Sequence, residues 1–211
     1  MKSFLGKNFT AAALTLTLTA GVFTANSFGA APEIEKIKAA AEKGDAKAQT
    51  QLGILYYQGQ GVLQHFGDAA TWLKKAADQG EPVAQRILGI MYLRGQGVAQ
   101  DAAAGLKYIT LAADGGDVTA QTEAAFYYVN GQGVEKDYAR AVKYYTKAAD
   151  KGVVMAQRNL GVLYLKGWGV KQDFPEAAKW LGKAAEKGDV QAQNELGWLM
   201  SSGLAGKPDP G

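Results

Sequence analysis

Residues 56 to 66 read YYQGQGVLQHF, and the meaning of Gly59 and Gly61 decides the fold. Closely spaced glycines after an apolar run either cradle a phosphate or end a helix. The pattern returns at Gly95-Gln96-Gly97-Val98 and Gly131-Gln132-Gly133-Val134, and as Gly167-Trp168-Gly169-Val170, each copy 36 residues after the last. A nucleotide loop follows a strand and opens a helix, and no copy has a strand pattern before it. Each follows a tyrosine-ended segment, where glycine takes the left-handed conformation that stops a helix. The loop is punctuation.

The same period of 36 runs through the whole unit, as at Gly44, Gly80, Gly116, Gly152 and Gly188. Five residues after each stands the glutamine of an Ala-Gln pair: Gln49, Gln85, Gln121, Gln157 and Gln193. Leu52-Gly53, Leu88-Gly89, Ala124-Ala125, Leu160-Gly161 and Leu196-Gly197 come next, followed by Tyr56, Tyr92, Tyr128, Tyr164 and Met200. The second half carries Trp72, Tyr108, Tyr144 and Trp180, each before an Ala-Ala pair. Apolar residues at spacings of four put one stripe on each of two helices, and small residues let helices approach closely. Three positions past the loop valine, Asp101, Asp137 and Asp173 suit the cap of the second helix. His65, the single histidine, holds the matching place in the first unit and reads as a cap substitute.

These motifs in this order resemble the Sel-1-like repeat, a relative of the tetratricopeptide repeat, over residues 33 to about 206. The third unit departs from the pattern at Ala124-Ala125, and Gly105-Leu106 enters a second helix. The resemblance implies an all-α, right-handed superhelical solenoid of antiparallel helix pairs that binds proteins. The expected layout is a half-repeat at 31–43, repeats at 44–79, 80–115, 116–151 and 152–187, a half-repeat at 188–206 and a tail at 207–211.

Residues 1–30 have the layout of a secretory signal peptide: Lys2 and Lys7, a weakly apolar segment from Phe9 to Ala25, then small residues with a cut expected near 27–31. A periplasmic or secreted location follows as an expectation, with no stable membrane insertion after processing. The absence of cysteine rules out a disulfide framework and a bacterial lipid attachment. Losing Lys2 and Lys7 would bring the formal charge of +3 close to +1, which argues against a nucleic-acid partner.

Catalytic signals are weak. Some proteins of the resembled family are described as penicillin-binding or as β-lactamases, but neither Ser-x-x-Lys nor Lys-Thr-Gly occurs in the chain. Asp45, Asp117 and Asp189 recur two units apart, too far to share an ion, and are expected in the first turn of leading helices. No cofactor, metal or catalytic residue is expected.

A partner face is legible on two sides. Lys107, Lys143 and Lys179, with Lys75, Lys147 and Lys183, form a stripe on the second helices that acidic residues interrupt, so it reads as a solvated face. On the leading helices Ile54, Ile90, Phe126, Val162 and Trp198 break the expected polar side, and arginines alternate beside them. Stacking of neighbouring helices can bury such a row. Left partly open, it gives a groove of about 40 Å, room for about ten extended residues. The candidate partner-binding residues are Arg86, Arg94, Phe126, Arg158, Lys166 and Trp198. Glutamate at 86 and 158 is then expected to abolish partner binding and leave the melting temperature nearly unchanged. Trp198 and Leu199 on the last helix admit end-to-end self-association as an alternative.

Overall fold

The computed structural model describes residues 30–206 as ten helices without a strand. The expected signal segment up to residue 29 and the tail at 207–211 lie outside the described residues. The helices are α1 (Ala30–Glu42), α2 (Ala46–Gln58), α3 (Phe66–Asp78), α4 (Pro82–Arg94), α5 (Ala102–Asp114), α6 (Val118–Asn130), α7 (Tyr138–Asp150), α8 (Val154–Lys166), α9 (Phe174–Glu186) and α10 (Val190–Ser201). Each even-numbered helix from α2 to α8 leads a unit and packs on the odd-numbered helix that follows it. The result is a solenoid in which contacts run between neighbours along the chain. Among the described residues no helix is long and apolar enough to cross a membrane.

The opening loop is helix punctuation. Gly59 has φ 70° and its N–H donates to the Leu55 carbonyl, which closes α2 in the left-handed conformation that glycine adopts without a Cβ penalty. The chain then returns to the tyrosine one turn back: the N–H groups of His65, Asp101, Asp137 and Asp173 donate to the carbonyls of Tyr56, Tyr92, Tyr128 and Tyr164 at 2.9–3.1 Å. The same four residues cap the second helices, the aspartates through Oδ1 and His65 through Nδ1, which accepts from Asp68 N at 3.2 Å.

Units are tied to one another by the recurring glutamine. Gln49, Gln85, Gln121, Gln157 and Gln193 each donate through Nε2 to an alanine carbonyl at the end of the preceding helix, Ala41, Ala77, Ala113, Ala149 and Ala185, at 3.0–3.2 Å. Each of these helix-end carbonyls also accepts from the N–H of the repeat glycine three residues on, so the glutamine supplies its second donor. Within units, Tyr92 stacks on Tyr108 and Tyr128 on Tyr144, with ring centroids 5.6 and 6.1 Å apart and planes 7° off parallel. The departure at Gly105 has a packing reason. A Cβ there would lie 2.8 Å from the Gly89 carbonyl oxygen, so α4 and α5 approach backbone to backbone.

One placement differs from the sequence expectation. Asp45, Asp117 and Asp189 are the N-caps of α2, α6 and α10, one position before the first turn, and each accepts from the amide three residues on at 2.7–2.9 Å. A short polar side chain outside the helix can fold back to a free N–H, which one inside the first turn cannot do as well. Glu81 and Val153, at the same place in the alternate units, make no such side-chain bond.

Candidate interaction face

The alternation of capped and uncapped leading helices is matched by the arginines. Arg86 Nε donates to Asp117 Oδ2 at 3.1 Å, and Arg158 Nη1 donates to Asp189 Oδ2 at 3.3 Å and to Gln191 Oε1. Each arginine therefore reaches from one leading helix to the cap of the next. Arg86 is 8% exposed, so its guanidinium is an internal tie rather than an open groove edge. Arg158 is largely buried in the same arrangement. In the other units the corresponding Thr50 and Thr122 turn back on their own helices, donating to the carbonyls of Ala46 and Val118.

The remaining candidates lie nearer the solvent. Arg94 is exposed, Phe126 and Lys166 are half-buried, and Trp198 is 46% exposed on α10. Phe126 meets Tyr127 edge to face with centroids 5.9 Å apart. Along the apolar row, Ile54, Phe126 and Val162 are half-buried and Ile90 is buried. The row is thus covered in part, most completely at Ile90.

The lysine stripe on the second helices is a solvated face. Lys75 and Lys183 lie 4.0 and 4.2 Å over the rings of Trp72 and Trp180, and Lys143 and Lys147 each reach Asp114 at 3.6 Å. These pairs are exposed and contribute little individually.

A pocket of about 310 Å³ opens between α4 and α6, lined by Ile90, Leu93, Arg94, Glu123, Tyr127 and the Gln132-Gly133 turn among others. It brings Arg94 and Ile90 together with Tyr127, while Lys166 and Trp198 stand outside it. Glu123, which sequence reading passed over, is 4% exposed, and its Oε2 has no hydrogen-bond partner. Burial pushes its carboxyl up to about 7, against the pull of Arg86 and Arg94 and with a smaller push from Asp117. Burial also raises the Tyr127 hydroxyl, helped by Glu123. A signal for Glu123 was available in register: Ile87 occupies its place in the preceding unit and is fully buried. Among the described residues no group of three or more histidine, cysteine or acidic side chains is placed to hold a metal ion.

Paired helices of constant length, tied by one glutamine per unit, define a helical-repeat solenoid. The Sel1 repeat model matches residues 46–81, 82–117, 118–153, 154–189 and 190–211, so the chain belongs to the Sel1 repeat family. The model frames each unit from its leading helix, two residues later than the frame counted from the repeat glycine. No curated protein sequence matches the chain. Among solved structures it is similar to a protective antigen present in uropathogenic Escherichia coli strains that displays an SLR fold. That match has TM-score 0.78 and 33% identity, over 84% of this chain and 38% of the antigen. It is also similar to a Sel1 repeat protein from Oxalobacter formigenes, with TM-score 0.74 and 35% identity, over 80% of this chain and 49% of the relative. The chain spans less than half the length of either. Sel1 repeat proteins act generally as protein-interaction scaffolds.

Proposed function

We propose that the chain is an exported scaffold that holds a segment of a partner protein against its leading helices. The observation that carries this reading is the half-buried row of Ile54, Phe126 and Val162, which leaves apolar area unspent on a face edged by Arg94 and Lys166 and continued by the exposed Trp198. The ties at Arg86 and Arg158 support this reading, since they fix α6 against α4 and α10 against α8. Export rests on the character of residues 1–30, with periplasmic or secreted localisation as its consequence. The test is crosslinked capture from an envelope extract with the processed chain and with the Arg94→Glu, Lys166→Glu variant, read by quantitative mass spectrometry. A partner depleted in the variant is expected; equal recovery rejects this face. Export is checked by fusing residues 1–31 to a reporter active only outside the cytoplasm.

A second reading is favoured by one observation. Of the two residues expected to join copies, Trp198 is exposed and Leu199 is fully buried; Val190, Trp198, Met200 and Leu204 are exposed around α10, at 65%, 46%, 65% and 39%. End-to-end self-association through that helix predicts oligomers that grow with concentration in light scattering and disappear in Trp198→Ala. Monomers at high concentration rule it out.

A further inference from the structure

Three of the units close in one way, with a branched side chain of the second helix seated on a glycine of the leading helix. A Cβ on Gly53 would lie 2.6 Å from Leu73 Cγ, one on Gly89 2.8 Å from Ile109 Cγ1, and one on Gly161 2.7 Å from Leu181 Cγ. Gly197 holds the same place on α10, yet a Cβ there would meet nothing within 4 Å. The notch is formed and unfilled. The residues after α10 do not fold back over it: Gly203 has φ 71° and Leu204 N donates to the Leu199 carbonyl, the course that Gly167 and Trp168 take after α8. A helix of the matching kind stands at the other end of the solenoid. Ala40-Ala41 of α1 are in register with Ala76-Ala77 of α3, which puts Ile37 in the place of Leu73, Ile109 and Leu181. Those three are fully buried, whereas Ile37 is half-buried, since no leading helix precedes α1 among the described residues.

We propose that the notch on α10 takes α1 of a second copy of this chain, docked as α9 docks on α8, so that copies join head to tail. The inference rests on the self-association reading and on removal of the segment before α1. Three pairings in register point to this occupant. Ile37 of the second copy falls on Gly197. Four residues before it, complete units place a small residue against an apolar one, as at Gly105, where a Cβ would lie 2.7 Å from Leu93 Cγ. At the two ends both members of that pair are polar: Glu33 stands in the register of Gly105 and Ser201 in that of Leu93. Either would disturb an ordinary unit. Together they set a carboxylate beside a hydroxyl, whose proton can turn from the Trp198 carbonyl to donate to it. The third pairing continues the alternation of the caps. Arg86 and Arg158 reach the cap aspartates Asp117 and Asp189 of the next leading helix, whereas Thr50 and Thr122 precede Glu81 and Val153, which make no capping bond. In the joined register Asn194 precedes Asp45, whose Oδ1 accepts from Ala48 N and whose Oδ2 is left for the asparagine amide. A donor again stands before an aspartate cap. A two-fold pairing of α10 with itself would leave Ile37, Glu33 and Asp45 unused. The head-to-tail contact is heterologous, so it extends the assembly instead of closing it at two copies.

The test uses the processed chain and two variants that each block one end. Gly197→Leu fills the notch from its own helix, and the open space around Gly197 lets the fold accept the side chain. Ile37→Asp places a charge on the residue that enters the notch. Mass from light scattering is expected to rise with concentration for the parent and to stay at one chain for either variant alone. Mixed in equal amounts, the two variants are expected to form a two-chain species and nothing larger, because one intact α10 meets one intact α1. A mixture that stays monomeric, or variants that assemble alone, overturns the pairing. If Ile37→Asp loses helicity, Glu33→Trp at an exposed position blocks the same end by bulk. A parent that is monomeric at every concentration rejects self-association and this pairing with it. Oligomers that persist in both variants but vanish in Trp198→Ala keep self-association and reject only the pairing.

Discussion

Asp117 serves two neighbours at once: Oδ1 accepts from Ala120 N at 2.8 Å and caps α6, while Oδ2 accepts from Arg86 Nε at 3.1 Å. One carboxylate thereby fixes both the start of a helix and its position against the helix before it. Arg158 and Asp189 repeat the device two units on, with the pair somewhat more exposed.

Removing one side of the Arg86 pair leaves the other charge buried, which costs about 3–5 kcal/mol. Arg86→Ala is therefore expected to lower the urea midpoint strongly, and Arg158→Ala less. Glutamate at either position sets a second carboxylate against the cap and does worse still. The sequence expectation that these glutamates leave melting unchanged does not follow from this geometry, so they are poor probes of docking. An Arg86→Ala chain as stable as the parent argues that the pair contributes no net stability.

Glu123 should make stability fall as pH rises. Its folded carboxyl titrates at about 7 against an ordinary 4.5, so between those values the folded chain holds a proton that the unfolded chain has lost. The contribution is fully present below about 4.5 and is lost as pH climbs through about 7, an upper bound of roughly 3 kcal/mol. Denaturation midpoints at a series of pH values test this, with Glu123→Gln as the control. The variant should be flatter across this window and more stable than the parent at pH 8. Identical slopes in both chains show that Glu123 is not the titrating group.

The glutamine series allows an internal comparison. Gln121 is 7% exposed and bonds the Ala113 carbonyl, whereas Gln193 makes the same bond from an exposed position. Gln121→Ala is expected to cost about 0.5–1.5 kcal/mol, the net worth of one buried hydrogen bond, because the Ala113 carbonyl keeps the Gly116 N–H. Gln193→Ala should cost under about 0.5 kcal/mol, since water takes over the bond. Equal losses from calorimetry indicate that side-chain packing, rather than the hydrogen bond, sets the cost.

Periodicity made the architecture legible. A 36-residue register without insertions identifies both helices, the caps of the second helices and the glycine stop, because each depends on residues within a turn or two. Arg86, Arg158 and Glu123 depend on what the next unit brings against them, and helical angle alone does not give that. It placed Arg86 beside an apolar row and gave no sign that Asp117, 31 residues on, closes over it. Yet a clue lay in the register: arginine at 86 and 158 alternates with cap aspartate at 117 and 189, displaced by one unit. Glu123 was harder to read, since Gln51 and Asn159 in register make a polar residue there look ordinary. Asn159 is buried too, but it donates to Tyr145 Oη at 3.0 Å.

Two glycines inside second helices should respond to alanine with opposite signs. In a helix interior Ala is favoured over Gly by about 1 kcal/mol. At Gly182 on α9 an added Cβ meets nothing within 4 Å, so that gain is realised and Gly182→Ala is expected to stabilise by about 0.5–1 kcal/mol. At Gly105 on α5 the Cβ would lie 2.7 Å from Leu93 Cγ and 2.8 Å from the Gly89 carbonyl oxygen. The leucine can turn aside, but the backbone oxygen moves only if α4 and α5 separate, and overpacking of this kind costs about 1–3 kcal/mol. Gly105→Ala is therefore expected to be destabilising despite the gain in helix propensity, and to perturb the adjoining pocket through Leu93. Paired thermal melts decide the matter, because stabilisation by both substitutions rules out the close backbone contact between α4 and α5.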